Sequence, residues 1–246
     1  MKLYFALFLC ICFLLLSSCK NEIETVDPID QGFDYAPLEV GNYWIYASDS
    51  IIYRQGGLIT DSLSGFIREE IVDTFRDSED LLNFKVQRFF KRMETDQWEE
   101  TDLWFSSMSG ANYIRVEENL KFISLVFPIV ENVSWDGNAF FDENIEISLD
   151  GEPIAPYKNW DYEYEKIDTT YDNGQFSADQ VVLIEQVDDD IEIEKRVASE
   201  MYAKGIGMVQ KKMSILFCQG CAGDPDAIED SPEYGFKLEL NLIDHN

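Results

Sequence analysis

The chain has 246 residues, of which 48 are Asp or Glu and 19 are Lys or Arg, so its formal net charge is −29. This charge repels phosphate backbones and anionic lipid headgroups, and we therefore expect no nucleic-acid partner. An apolar fraction of 46% is too high for a disordered acidic chain and predicts a folded domain. His245 is the single histidine, so a histidine-dependent catalytic triad or a His-ligated metal site would have only this one imidazole to use.

The first nineteen residues have the pattern of an export signal. Lys2 is followed by an uncharged run from Leu3 to Leu16, which is shorter than the ~20 apolar residues of a membrane-spanning helix. The run ends in Leu16-Ser17-Ser18-Cys19. This motif resembles the bacterial lipoprotein signal. The resemblance implies that residues 1–18 are removed and that Cys19 is lipidated and becomes the first residue of the mature protein.

The lipid on Cys19 would attach the protein to a membrane, because the acidic surface itself is repelled. Residue 20 is Lys rather than the Asp that retains some lipoproteins at the inner membrane. We therefore expect an outer-membrane location, either on the periplasmic face or at the cell surface. Residues 19–36 are polar and contain Pro28 and Gly32, which predicts a flexible tether. A single domain is then predicted over residues 37–246.

Beyond Leu38, apolar and polar residues alternate with the period of a half-buried strand. The clearest case is Tyr234 to Leu242, and Glu192 to Lys204 is also interpreted as a strand although its composition suits a helix. Asp150-Gly151 and Asn173-Gly174 are typical hairpin turns. Further strands are predicted at Tyr43–Tyr53, Gly65–Phe75, Leu82–Met93, Gln97–Phe105, Tyr113–Val116, Leu120–Phe127 and Val209–Phe217. The predicted fold is all-β, a mostly sequential antiparallel sheet of about 10–12 strands, strongly curled into a half-barrel or arranged as a sandwich.

Two segments extend the lipoprotein resemblance into the domain. Pro37 to Tyr46 and Tyr202 to Gly207 resemble segments of uncharacterised outer-membrane lipoproteins of diderm bacteria. The resemblance supports the class of protein and implies no particular activity.

Trp160, Tyr162 and Tyr164 alternate with acidic residues, so one face of the predicted strand is aromatic. Packing in the core is the preferred interpretation of these three rings, because each removes a large area from water. The alternative is a ligand-binding platform on which sugar rings stack, with the neighbouring carboxylates accepting hydroxyl protons.

Cys218 and Cys221 are the two thiols that remain once the signal is removed and Cys19 is lipidated. An oxidising envelope compartment favours a disulfide between them. A redox role needs a helix start beside the first thiol, and the Gly223-Asp224-Pro225 loop that follows indicates none. We therefore expect a structural disulfide.

The loop after the cysteines is acidic. Asp224, Asp226, Glu229 and Asp230 are interpreted as a solvated turn, and a calcium site is the alternative because calcium prefers several oxygen ligands. No other cofactor is expected.

The sequence contains no phosphate-binding loop and no nucleophile elbow, so we expect no enzyme. The predicted function is that of a lipid-anchored, non-catalytic envelope domain that binds or scaffolds an envelope protein or a glycan. Two alternatives stay open. One is a carrier of a lipid or other hydrophobic ligand, in a cavity walled by the apolar Leu120–Phe127 strand. The other is a glycosidase that uses a pair of carboxylates.

Overall fold

The computed structural model describes residues 30–221 and 225–246, and within them the chain is nearly all β. The predicted signal at residues 1–18, Cys19 and most of the predicted tether lie outside the described residues. The strands are β1 (Tyr43–Arg54), β2 (Ile59–Arg76), β3 (Leu82–Lys91), β4 (Glu99–Ser109), β5 (Asn112–Glu117), β6 (Leu120–Val126), β7 (Ser134–Trp135), β8 (Ile147–Leu149), β9 (Glu152–Ile154), β10 (Tyr162–Asp172), β11 (Ser177–Ile191), β12 (Glu194–Ala203), β13 (Gly207–Phe217) and β14 (Tyr234–His245). The short helices are two 3-10 turns (Phe33–Tyr35 and Gln219–Cys221) and α1 (Pro225–Asp230). None of the described helices has the length and apolar character needed to cross a bilayer.

Twelve of the strands form one antiparallel sheet in the order β6-β5-β4-β3-β2-β1-β14-β13-β12-β11-β10-β7. Strands β1 to β6 are one meander, strands β10 to β14 are a second, and the pairing of β1 with β14 joins them. The small β8–β9 hairpin is separate from this sheet. The prediction of a mostly sequential, strongly curled antiparallel sheet is confirmed, and the sheet is nearly closed like a barrel.

The two-residue alternation explains which side chains face inward. Leu240 and Leu242 of β14 are buried, and so are Ile184 of β11 and Ile215 of β13, all within one hydrophobic core. Burial of an aliphatic side chain of this size contributes ~1.5–3 kcal/mol. The free energy gained on the inner face therefore drives the sheet to curl around these residues.

The turn residues act as predicted. Asp150 and Gly151 form the β8–β9 turn with φ angles of 55° and 93°, the left-handed region that a two-residue hairpin needs. Gly174, with φ of 82°, lies in the turn between β10 and β11. The segment interpreted as a strand despite its helical composition is strand β12.

The last residues of the predicted tether belong to the domain. Tyr35 and Ala36 are buried in the core, and the Gly205 amide donates to the Asp34 carbonyl at 2.8 Å. The compact unit starts at Gln31 rather than at residue 37. The aromatic ring of Tyr35 explains the difference, because it gains more from burial than a polar linker residue would.

The two edges of the sheet, β6 and β7, meet along a seam without a continuous ladder. The Ile123 amide donates to the Gly137 carbonyl at 2.8 Å, and Trp135 Nε1 donates back to the Ile123 carbonyl at 2.8 Å. The Tyr164 hydroxyl donates to the Val126 carbonyl at 2.8 Å. The exposed backbone groups of an edge strand are thereby satisfied by side chains and by one loop carbonyl.

We expect Gly137→Ala to open this seam. A Cβ at position 137 would collide with the ring of the buried Tyr162, so the ring or the backbone would have to shift. Overpacking of this kind costs ~1–3 kcal/mol, and the free energy of unfolding from a denaturant titration should fall by that amount. Ser134→Ala, at an exposed position on the neighbouring strand β7, is the control and should change stability by less than ~0.5 kcal/mol. Equal stabilities of the Gly137 variant and the parent would contradict this account of the seam.

Candidate functional site

A cavity of about 210 Å³ lies inside the curled sheet. Both meanders contribute to its wall, which combines ionised and aromatic side chains with four aliphatic ones, Met208, Met213, Leu238 and Leu240. The ionised residues are Glu69, Arg88, Arg115, Glu117, Glu200 and Lys211. The aromatic residues are Trp104, Phe122, Tyr157, Trp160 and Tyr162. The exposed Glu118 also lines the cavity, so the cavity reaches the surface beside it.

A chain of ion pairs crosses the interior. Arg115 Nη2 lies 2.9 Å from Glu69 Oε2, and Arg115 Nε lies 2.7 Å from Glu117 Oε1. Lys211 Nζ lies 3.2 Å from Glu117 Oε2 and 3.0 Å from Glu200 Oε1. Because β4, β3, β2, β1 and β14 separate β5 from β13 in the sheet, the contact between Glu117 and Lys211 joins two distant parts of the wall.

Arg88 extends this network. It is the register partner of Glu69 on the neighbouring strand, and its Nε lies 3.2 Å from Glu69 Oε1. Its Nη1 lies 3.4 Å from Asp102 Oδ2. The guanidinium also lies over the Trp104 ring, 3.7 Å from the ring centroid, which is a favourable cation–π distance. One face of Arg88 is therefore covered by an aromatic ring.

The ion pairs keep Glu117 and Lys211 charged. Burial would raise the pKa of Glu117, but the nearby cations Lys211 and Arg115 lower the pKa of that carboxyl to about 2. Burial opposes the charge on Lys211, yet Glu117 and Glu200 hold the pKa of its ammonium above the ordinary value. Burial, reinforced by Glu200, raises the pKa of Tyr202, whose hydroxyl donates to Glu200 Oε2 at 2.8 Å.

Two polar atoms in the cavity wall make neither a hydrogen bond nor an ion pair with any described residue. They are one acceptor, Gln186 Oε1, and one donor, Trp160 Nε1. Gln186 is 3% exposed and Trp160 is 7% exposed. Unpaired polar groups at such burial cost ~1–3 kcal/mol each, and native proteins contain few of them. Their occurrence in the wall of one cavity indicates a site whose partners come from outside the chain.

The three aromatic residues named from the sequence have two different places. Trp160 and Tyr162 line the cavity, with ring centroids 5.8 Å apart, and the Tyr162 hydroxyl donates to Asn138 Oδ1 at 3.3 Å. Tyr164 is fully buried at the seam between the sheet edges and does not line the cavity.

Cys218 and Cys221 are joined in a disulfide, with Cα atoms 5.3 Å apart. The sequence predicted no helix start in the loop around and after these cysteines, and that prediction is wrong. The segment contains the 3-10 turn Gln219–Cys221 and α1. Ile228 of α1 is fully buried against Leu216 and Cys218, and this apolar contact accounts for the helical turn.

Of the four calcium candidates, the structure describes the side chains of Glu229 and Asp230 only. Glu229 pairs with Lys195 at 3.1 Å and with Lys237 at 3.7 Å, and Asp230 is exposed. Asp224 and the side chain of Asp226 lie outside the described residues. Over residues 30–221 and 227–246, no three His, Cys, Asp or Glu side chains are grouped so that they could hold a metal ion.

The six ionised residues of the cavity were not predicted from the sequence as a site. The sequence nevertheless contains a signal that could have identified them. Each of the six residues occupies a position whose side chain faces inward in a strand of alternating pattern. Lys211 shares a face with Val209 and Met213, and Glu69 shares a face with Ile67 and Ile71. A charge on the apolar face of a strand is costly unless it has a partner.

Comparisons with protein-family models, with curated proteins and with solved structures find no match to this chain. The chemistry of the cavity is therefore the basis for the functional proposals that follow.

Stability should depend on the charge of Glu117 at acid pH. Its pKa is about 2 in the folded protein against an ordinary value of 4.5, so its charge stabilises the fold above pH 4.5. This contribution, on the order of 3 kcal/mol, is lost as the pH falls from 4.5 through about 2. Denaturant titrations of the parent should show this decrease, and Glu117→Gln should be less stable at neutral pH and have a flatter profile over the same window.

The control is Glu165→Gln, which removes an exposed carboxylate paired with Lys166. Its acid profile should match that of the parent, because exposed ion pairs contribute little. An equally steep acid profile in Glu117→Gln would contradict the role given to Glu117.

Proposed function

We propose that this protein is a lipid-anchored envelope domain that binds a small polar ligand in the cavity inside its sheet. The single observation that carries the proposal is the pair of buried atoms Gln186 Oε1 and Trp160 Nε1, an acceptor and a donor, which lie in the wall of one cavity without partners among the described residues. A ligand with its own donors and acceptors would remove their desolvation cost on binding.

The lining favours a polar ligand over an acyl chain. An apolar tail in this cavity would contact the ion-paired Glu69, Arg115 and Lys211 and would leave the unpaired atoms unsatisfied. The volume of about 210 Å³ is also below the ~300–1,000 Å³ of a site for a drug-sized ligand. A small polar molecule therefore fits better than the lipid considered from the sequence.

The same contacts support binding rather than glycoside hydrolysis. A glycosidase needs a carboxylic acid whose pKa is raised so that it carries a proton at neutral pH. The pKa of Glu117 is lowered to about 2, so this carboxyl does not supply that proton. Glu69 and Glu200 are each in contact with a cation, which suits the role of fixed ion-pair partners.

The lipid anchor rests on the motif that ends at Cys19 and can be tested separately. With the full chain expressed in a diderm bacterium and labelled with an alkyne fatty acid, we expect label in the parent and none in Cys19→Ser. The parent should sediment with outer membranes, and Cys19→Ser should not, because its acidic surface is repelled by the bilayer. Cys12→Ser, inside the predicted signal, is the matched control and should behave as the parent does. Membrane association of Cys19→Ser equal to that of the parent would contradict the anchor.

The cavity can be tested by filling it. Ser124 is buried in the cavity wall, and Ser177 is exposed outside it, so Ser124→Phe and Ser177→Phe make the same chemical change at two sites. We expect ligand-observed NMR with a set of neutral, cationic and anionic polar fragments to detect binding to the parent and to Ser177→Phe but not to Ser124→Phe. Circular dichroism verifies that each variant is folded. Should Ser124→Phe fail to fold, Trp160→Phe replaces it, with the loss of the unpaired indole donor expected to weaken binding. Binding to all variants alike, or to none including the parent, would contradict the proposed function.

A further inference from the structure

Six of the seven ionised residues that line the cavity, three cations and three carboxylates, are paired within the protein, and the seventh, Glu118, is exposed at the opening. Arg88 contacts Glu69 and Asp102, and Arg115 contacts Glu69 and Glu117. Lys211 contacts Glu117 and Glu200 in the same way. Each cation thus has two carboxylate neighbours. An anionic ligand would have to compete with a carboxylate already in place, and a cationic ligand would have to displace Arg or Lys, so either class loses an existing ion pair.

The two unpaired atoms match a ligand that both donates and accepts hydrogen bonds. Gln186 Oε1 is an acceptor and Trp160 Nε1 is a donor. A hydroxyl group donates one hydrogen bond and accepts others, so a few hydroxyls on one small molecule can serve both kinds of atom. Ligands with a single strong donor or a single acceptor would leave part of the set unpaired and desolvated.

Aromatic rings cover the side of the cavity that contains Trp160. The ring centroids of Tyr157 and Trp160 are 5.3 Å apart, those of Trp160 and Tyr162 are 5.8 Å apart, and Phe122 lies 5.3 Å from Tyr157. Such a wall packs well against a flat C–H surface. A saturated polyhydroxylated ring presents C–H groups on its faces and hydroxyls around its edge, so it matches the rings and the unpaired atoms at once.

The size of the cavity suits a ligand of one ring. Its volume of about 210 Å³ is below the ~300–1,000 Å³ of a site for a drug-sized ligand. That space admits a single sugar ring with its hydroxyls but not an oligosaccharide. A longer glycan would have to enter with one terminal unit, through the opening beside Glu118.

We propose that the cavity binds a neutral polyhydroxylated ring of the size of one sugar unit. This inference rests on the proposed function, since it names the ligand class for the same cavity. Gln186 and Trp160 are the residues assigned to direct hydrogen bonds with the hydroxyls, and the ion-paired residues hold the wall in place and select against charged ligands.

The test compares matched neutral and charged sugars on the full chain. The neutral probes are D-glucose, D-galactose, D-mannose, N-acetyl-D-glucosamine and myo-inositol. The charged probes are D-glucosamine, which carries an ammonium, and D-glucuronate, which carries a carboxylate. Binding is followed by tryptophan fluorescence and ligand-observed NMR up to about 10 mM, because single sugar units bind with modest affinity. We expect at least one neutral probe to bind and its charged counterparts to bind at least about tenfold more weakly.

Two variants localise the binding. Trp160→Phe keeps a ring but removes the indole donor, and Gln186→Met removes the amide acceptor at similar length. Each should weaken binding of the neutral probe by about tenfold or more. The controls are Trp98→Phe and Gln175→Met, which change residues that do not line the cavity and should leave the affinity unchanged.

The outcomes separate this inference from the proposed function. Tighter binding of a charged probe, lost in Trp160→Phe, would overturn the neutral-ring inference and leave the cavity as a binding site. Sugar binding that is unchanged in both Trp160→Phe and Gln186→Met would also overturn it, because the site would then lie elsewhere. If none of the sugars binds while the fragments still bind in a manner sensitive to Ser124→Phe, the sugar class is wrong and the binding function is retained. Absence of binding in every assay would remove both proposals.

Discussion

Six ionised side chains on five strands point into the interior of a nearly closed sheet, and an ion in such a place is tolerated only with a partner of opposite sign. Glu69, Arg115, Glu117, Lys211 and Glu200 form an unbroken series in which neighbours lie between 2.7 and 3.2 Å apart. The curl of the sheet determines whether this series can exist, because β5 and β13 meet only across the interior. Replacing one member would leave a neighbouring buried charge without its partner. The network therefore constrains the structure of the cavity wall as well as its chemistry.

The seam between β6 and β7 lies beside the cavity, because Phe122 and Ser124 of β6 are in the cavity wall. No continuous ladder of strand hydrogen bonds joins these two edges among the described residues. Here Trp135, Tyr164 and the Gly137 carbonyl bridge the edges instead. The aromatic side chains of residues 157 to 162 line part of the cavity, and the rest of its wall contains the ion pairs, the Trp104 ring and aliphatic side chains.

Local pattern was sufficient to predict most of the fold. Alternation identified strands such as β1, β3 and β14 to within a few residues, and Asp150-Gly151 located a hairpin turn. These signals are local because each depends on residues two to four positions apart. The pairing of β1 with β14 was beyond such reasoning, since no short-range pattern relates strands at opposite ends of the domain.

The candidate site was predicted only in part for the same reason. Trp160 and Tyr162 were singled out because an aromatic row is visible in the sequence, and both line the cavity. The partners of Lys211 were not visible, because Glu117 is 94 residues away along the chain and the chain contains 48 acidic residues. Which carboxylate meets which cation depends on the curl of the sheet, and that curl arises from the packing of the whole inner face.

The pairing of β1 with β14 also has a kinetic consequence. Tyr43 on β1 and Asp244 on β14 are hydrogen-bonded although 201 residues separate them. Each meander can form from neighbouring hairpins as the chain emerges, whereas the contact that unites them requires the closure of a very long loop. Until then, β1 presents an unpaired edge of twelve residues, which in other chains is a surface prone to aggregation. The growing chain is therefore exposed to aggregation through the edge of β1 until β14 pairs with it.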